Sequence, residues 1–141
     1  MGGMIAQGFA LKYGDLIKSL ILVSTMPRPL IAVSVSAEFI SLLKSQYNEY
    51  GFFKSQLELA FSEQWIRRSP DVFENFVRLR YNLRMPLHAY LGQLAAILAT
   101  NYVDKLGSIN VPTTIMHGNA DPVTQSILRD QVTSIGVLRS T

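Results

Sequence analysis

The stretch Val111-Pro112-Thr113-Thr114-Ile115-Met116-His117-Gly118-Asn119-Ala120-Asp121-Pro122-Val123 decides how this chain reads. Its first half is β-branched and apolar, which predicts a strand ending near Met116. Gly118 and Asp121-Pro122 then punctuate a turn. His117 and Asp121 stand four apart, a spacing that on a helix could supply two metal ligands. Gly118 and the turn argue against a helix there, so no metal site is assigned and His117 reads as a structural residue of the loop. Beyond Pro122 the pattern is ambiguous, with Ile127, Leu128 and Val132 weakly helical and Val137-Leu138 extended.

Working back from this strand, residues 36–106 read as an almost entirely helical insertion. Leu87, Leu91, Leu94 and Leu98 mark one helix that runs to about Lys105 before Gly107 stops it. Ser69-Pro70-Asp71 has the form of a helix start, with Ser as cap, Pro at the first helical position and an acid in the first turn, leading into Phe73, Phe76 and Val77. Met85-Pro86 ends that helix. Phe39, Leu43, Tyr47 and Tyr50, then Phe53, Leu57 and Phe61, follow helical spacing on either side of Gly51. The aromatics Phe39, Tyr47, Phe53, Phe61, Trp65, Phe73 and Phe76 suit helix-on-helix packing, and an apolar substrate pocket would draw on the same residue types.

Before the insertion, Met26-Pro27-Arg28-Pro29 breaks any regular element, because prolines two apart continue neither a central strand nor a helix. The run Leu16 to Ser24, with Leu20-Ile21-Leu22-Val23 unbroken, predicts a strand buried on both faces of a parallel sheet. From Gly2 to Tyr13 small residues alternate with Met4, Ile5, Phe9 and Leu11, which suits a helix pressed against that sheet, with close backbone packing offsetting the helix cost of its glycines. Tyr13-Gly14-Asp15 supplies a glycine stop. The fold class is therefore α/β, a parallel sheet carrying a helical insertion, and no repeat or linker divides residues 1–141 into further domains.

Bulk properties exclude several classes. A chain of 141 residues, 48% hydrophobic and 16% charged, can bury a core and is unlike disordered sequences. Thirteen basic and ten acidic residues leave a charge of +3 spread along the chain, with only Arg67-Arg68 as a tight basic pair, so no nucleic-acid surface is expected. No apolar run is long enough for a membrane span. The absence of Cys rules out disulfides and thiolate metal sites and accords with a cytoplasmic location. Ser24 lacks flanking glycines and a nearby base, so it reads as a strand-end hydroxyl bonded to backbone rather than a nucleophile, and His88 reads as a partly exposed residue of the insertion.

Two segments resemble one family. Met1-Gly2-Gly3-Met4-Ile5-Ala6-Gln7 is similar to the residues just after the nucleophile in the G-x-S-x-G elbow of α/β-hydrolases, with Met1 next to the serine and Gly2 as the last glycine of the motif. The Val111–Val123 stretch resembles the strand and turn that present the triad acid in the same family. The resemblance implies a serine hydrolase parent acting on a small-molecule ester, lactone or similar bond, of the small capped carboxylesterase or lactonase type, without cofactor or metal. It implies Asp121 as the triad acid and the backbone of Met1 as an oxyanion donor. It also implies a serine before Met1 and a histidine farther on than the twenty residues that follow Asp121, neither of which the sequence contains. The chain is accordingly expected to be a fragment, truncated at both ends and inactive alone. The alternatives are one half of a split hydrolase, completed by a second half-domain or by self-association, and a non-catalytic interaction module.

Overall fold

The computed structural model describes residues 1–29 and 37–118. They form two compact units, one from residues 1–29 and 93–118 and the other from 37–92.

The first unit contains the sheet. Strand β1 (Leu20–Val23) runs parallel to β2 (Thr113–Met116), with Leu20 opposite Thr113 and Val23 opposite Met116. The ladder extends at both ends, since Leu20 N–H donates to Pro112 O at 2.9 Å and Ser24 N–H to Met116 O at 3.0 Å. Period-two alternation sends Leu20 and Leu22 inward, where they meet Ala10, Leu106 and Ile109 in one apolar core. Helix α1 (Gly2–Tyr13) supplies Ala10 and the flanking Ala6 and Leu11.

The expectation of a strand buried on both faces is corrected here. Ile21 is 64% and Val23 59% exposed, because α1 packs on the face to which Leu20 and Leu22 point. Leu16 falls outside the strand, in a 3₁₀ turn over Gly14–Leu16. Gly14 ends α1 without a left-handed cap; its φ of −53° is helical, and the break is at Tyr13 with φ −134° and ψ 36°. Ser24 does take a left-handed backbone, φ 43°, where the chain leaves β1.

The second unit is built from aromatic contacts. It holds α2 (Ala37–Gln46), α3 (Tyr50–Glu58), α4 (Glu63–Arg68), α5 (Pro70–Asn82) and the first half of α6 (Leu87–Leu98), which ends in the first unit. Gly51 does not separate two helices; it sits in the first turn of α3, and the chain breaks earlier, at residues 47–49. Ser69 occupies the cap position of α5 but its side chain accepts no capping bond, whereas Ser62 does cap α4 through Trp65 N–H at 3.3 Å. Helix α6 stops at Leu98 instead of running to Lys105. Asn101 accepts a hydrogen bond from Val103 N–H and starts a separate 3₁₀ turn over Val103–Ser108.

Tyr47 is the hub of this unit. Only 3% exposed, its ring meets Phe52, Phe53 and Tyr90 at 5.1 to 5.6 Å, and its hydroxyl donates to Met85 O at 2.8 Å. Tyr50 donates to Glu74, which also pairs with Lys54 at 3.9 Å. Burial, with a smaller contribution from neighbouring Tyr90, raises the Tyr47 phenol above its ordinary value, and the hydrogen bond to Glu74 raises that of Tyr50.

A raised phenol binds its proton more tightly folded than unfolded. Its stabilisation is therefore complete below about pH 10 and is lost as pH climbs through the folded value. Tyr47→Phe should cost about 1 kcal/mol at neutral pH by leaving Met85 O without its donor. It should also flatten the fall in urea midpoint above about pH 10, as equilibrium unfolding of both proteins would show.

Candidate active site

In a parallel sheet covered by helices, chemistry gathers beyond the carboxyl ends of the strands. A helix that precedes its strand runs back toward that strand's start, so α1 should begin at the edge where β1 ends. The contacts show this. A Cβ placed on Gly3 would collide with the Thr25 side chain, so the first turn of α1 lies directly on the residue two beyond β1. Gln7, fully buried, donates from Nε2 to both Gly3 O and Met26 O at 3.1 Å, joining the helix to the chain that leaves the strand. One turn farther on, a Cβ on Gly8 would stand 2.6 Å from the Tyr102 hydroxyl. Tyr102 is itself held by its N–H to Pro27 O at 3.0 Å.

Met1 therefore stands at the carboxyl edge of the sheet, 46% exposed, with its carbonyl accepting from Met4 N–H at 2.9 Å and Ile5 N–H at 3.1 Å to open α1. Beside it lies an apolar cavity of about 120 Å³ between the start of α1 and the end of α6, lined by Met1, Met4, Ile5, Ala96, Ile97, Thr100 and Tyr102. Thr100 turns its hydroxyl away to Ala96 O at 2.8 Å, which leaves the walls apolar.

Of the other residues singled out in the sequence, His117 follows directly on β2 at this same edge, half-buried. His88 is exposed in the first turn of α6, in the second unit. Ser24 keeps its N–H in the ladder and gains no base among the described residues. Asp121 lies outside the described residues. Among the described residues no group of acidic or histidine side chains could hold a metal, and no helix is long and apolar enough to cross a membrane.

Gln7 and Thr25 escaped the sequence reading. Gln7 carried the one available signal, as the only long polar side chain on a helix otherwise made of small and apolar residues before Lys12.

The model of the alpha/beta hydrolase fold matches residues 1–134. The chain belongs to this family. Two solved structures share the hydrolase fold at low identity. The enol-lactonase from Burkholderia xenovorans LB400 superposes with a TM-score of 0.80 at 19% identity, over 96% of this chain and 51% of the enzyme. A hydrolase from Pseudomonas aeruginosa PA01 superposes with a TM-score of 0.73 at 24% identity, over 94% of this chain and 49% of that one. The chain thus spans about half the length of each of these hydrolases. No curated protein sequence matches it.

The glycines at the start of α1 differ in what they face, and this separates packing from helix propensity. Gly3→Ala should lower unfolding free energy by about 1 to 3 kcal/mol because Thr25 and its backbone must shift. Gly2, with open space around it, should accept Ala at no cost or gain up to about 1 kcal/mol. Urea denaturation of the two variants checks this.

Proposed function

We propose that this chain contributes the part of a serine hydrolase that follows the nucleophile, with Met1 at the oxyanion position, residues 36–106 as a helical cap and Asp121 as the triad acid. The bond cleaved is an ester, lactone or similar acyl bond in a small molecule. The observation that carries the reading is the pinning of the α1 N-terminus to the carboxyl edge of the β1–β2 pair, since β2 is the strand whose continuation bears Asp121. Family membership supports it, and the fold shared with an enol-lactonase favours the lactonase side of the range.

In this mechanism a serine preceding Met1 attacks the acyl carbon while a histidine takes its proton. The carboxylate of Asp121 holds the histidine in the productive tautomer and stabilises the imidazolium. The Met1 N–H, as an amide at the head of a helix, donates to the oxyanion, where fixed dipoles need no reorganisation. The apolar cavity beside Met1 suits the hydrocarbon part of the substrate.

His88 and His117 both precede Asp121, so in this reading neither is the base. The exposed outer face of β1, with Ile21 and Val23, favours a cover for the sheet. A complementing half-domain would supply it; self-association through that face is the second reading.

The chain alone should neither label with a fluorophosphonate probe nor hydrolyse short p-nitrophenyl esters. When an upstream half-domain ending in G-x-S and a downstream histidine-bearing segment are joined to it, turnover should appear, and Asp121→Asn should lower kcat by as much as about 10⁴ with KM little changed. Asp104, exposed in the 3₁₀ turn over Val103–Ser108, should tolerate the same substitution. Equal rates with Asp and Asn at 121 would remove that residue from the triad.

A further inference from the structure

Helix α5 carries two apolar stripes. Phe73 and Val77 are buried within the second unit, whereas Val72, Phe76, Leu79 and Leu83, spaced by four, three and four, are 43 to 74% exposed. With Leu57 of α3 and Phe61 of the following loop, Phe76, Leu79 and Leu83 wall an open groove of about 270 Å³, and Arg80 is the one charged residue in its lining. Among the described residues Arg80 enters no ion pair, and its charge acts on the neutral phenol of Tyr47. Of the acids on these helices, Glu74 bonds Tyr50 and Lys54, Glu63 pairs with Arg67, Asp71 lies in the first turn of α5, and Glu58, next to Leu57, forms no ion pair with Arg80.

We propose that this groove binds a straight-chain carboxylate of roughly eight to ten carbons, its tail along Phe61, Phe76, Leu79 and Leu83 and its head group on Arg80. The volume sets the tail, since a dry apolar cavity of about 150 Å³ already holds a benzene ring. The single unpaired guanidinium sets the head group, because its planar fork matches one carboxylate through two parallel hydrogen bonds. A phosphate would call for further cations that the lining lacks. A second protein chain would need a footprint of about 1,000 Å² or more, larger than a six-residue groove presents. Every residue involved lies within 57–83, so the proposal stands apart from the assignment of Met1 and Asp121.

The groove has a built-in reporter. Trp65, the only tryptophan, stacks on Phe61 at 4.6 Å and lies 6.4 Å from Phe76. Octanoate titrated into the chain should change Trp65 fluorescence saturably, and neutral octanamide should bind about tenfold more weakly. Arg80→Gln should weaken octanoate about tenfold and leave octanamide unchanged, while Arg80→Lys recovers part of the difference. The absence of a saturable change, equal binding of octanoate and octanamide, or undiminished octanoate binding by the Gln variant overturns the proposal. If Arg80→Gln does not fold, the comparison of the two ligands on the native chain decides alone. A dimer in sedimentation that Leu79→Ser dissociates would assign the groove to a second copy and likewise overturn it.

Discussion

The close approach of α1 to the chain leaving β1 is the constraint on which the candidate site depends. With no Cβ at position 3, the first helical turn rests against Thr25, and Gln7 closes the junction by bonding both Gly3 O and Met26 O. A buried amide with two carbonyl partners resists displacement, because moving it leaves the amide and Met26 O without this bond in the interior. The position of Met1 at the sheet edge is therefore set by packing a full turn inside the helix and not by the exposed end itself. Left-handed Ser24 serves the same junction, turning the chain out of β1 toward Thr25 while its N–H stays in the ladder.

Much of the fold was legible because it rests on composition and spacing. The glycines of α1 announced close packing, and Gly3 and Gly8 meet side chains as that reading requires; Gly2, which meets nothing, looks the same in sequence. The strands stood out as Leu20–Val23 and Thr113–Met116, but an unbroken apolar run cannot say how many faces are covered, and Ile21 and Val23 turned out exposed. Helix ends were least legible. Ser69-Pro70 marked the start of α5, yet the Ser69 side chain does not cap, and the cap that forms uses Ser62 before a two-turn helix too short to show a period. In the site, Met1 and Asp121 could be proposed only through family resemblance, since neither residue type announces its role by chemistry or spacing.

The two units reach stability by different means. The sheet-bearing unit relies on small residues that let backbones approach, so its core is a thin layer of Ala10, Leu20, Leu22, Leu106 and Ile109. The helical unit fills its interior with rings instead, and Tyr47 reaches α3, α6 and the turn at Met85 through three aromatic contacts and one hydrogen bond. Rings at 5 to 6 Å in tilted and edge-on arrangements tolerate small displacements, whereas a glycine under a threonine does not. Sequence drift should be easier to accommodate in the helical unit.

That difference bears on what acyl transfer asks of a scaffold. Acyl transfer requires donors and acids fixed to within a fraction of an ångström, which calls for backbone-on-backbone packing of the sort that places α1. Selecting a substrate requires only an apolar wall of suitable shape with a few polar groups, which helices carrying aromatic side chains provide. Helix α1 packs on the sheet edge in the first unit, and the exposed stripe of α5 belongs to the second. The junction of Gly3, Gln7 and Thr25 lies wholly within the first unit and the stripe of Phe76, Leu79 and Leu83 wholly within the second, so each demand is met by packing inside one unit.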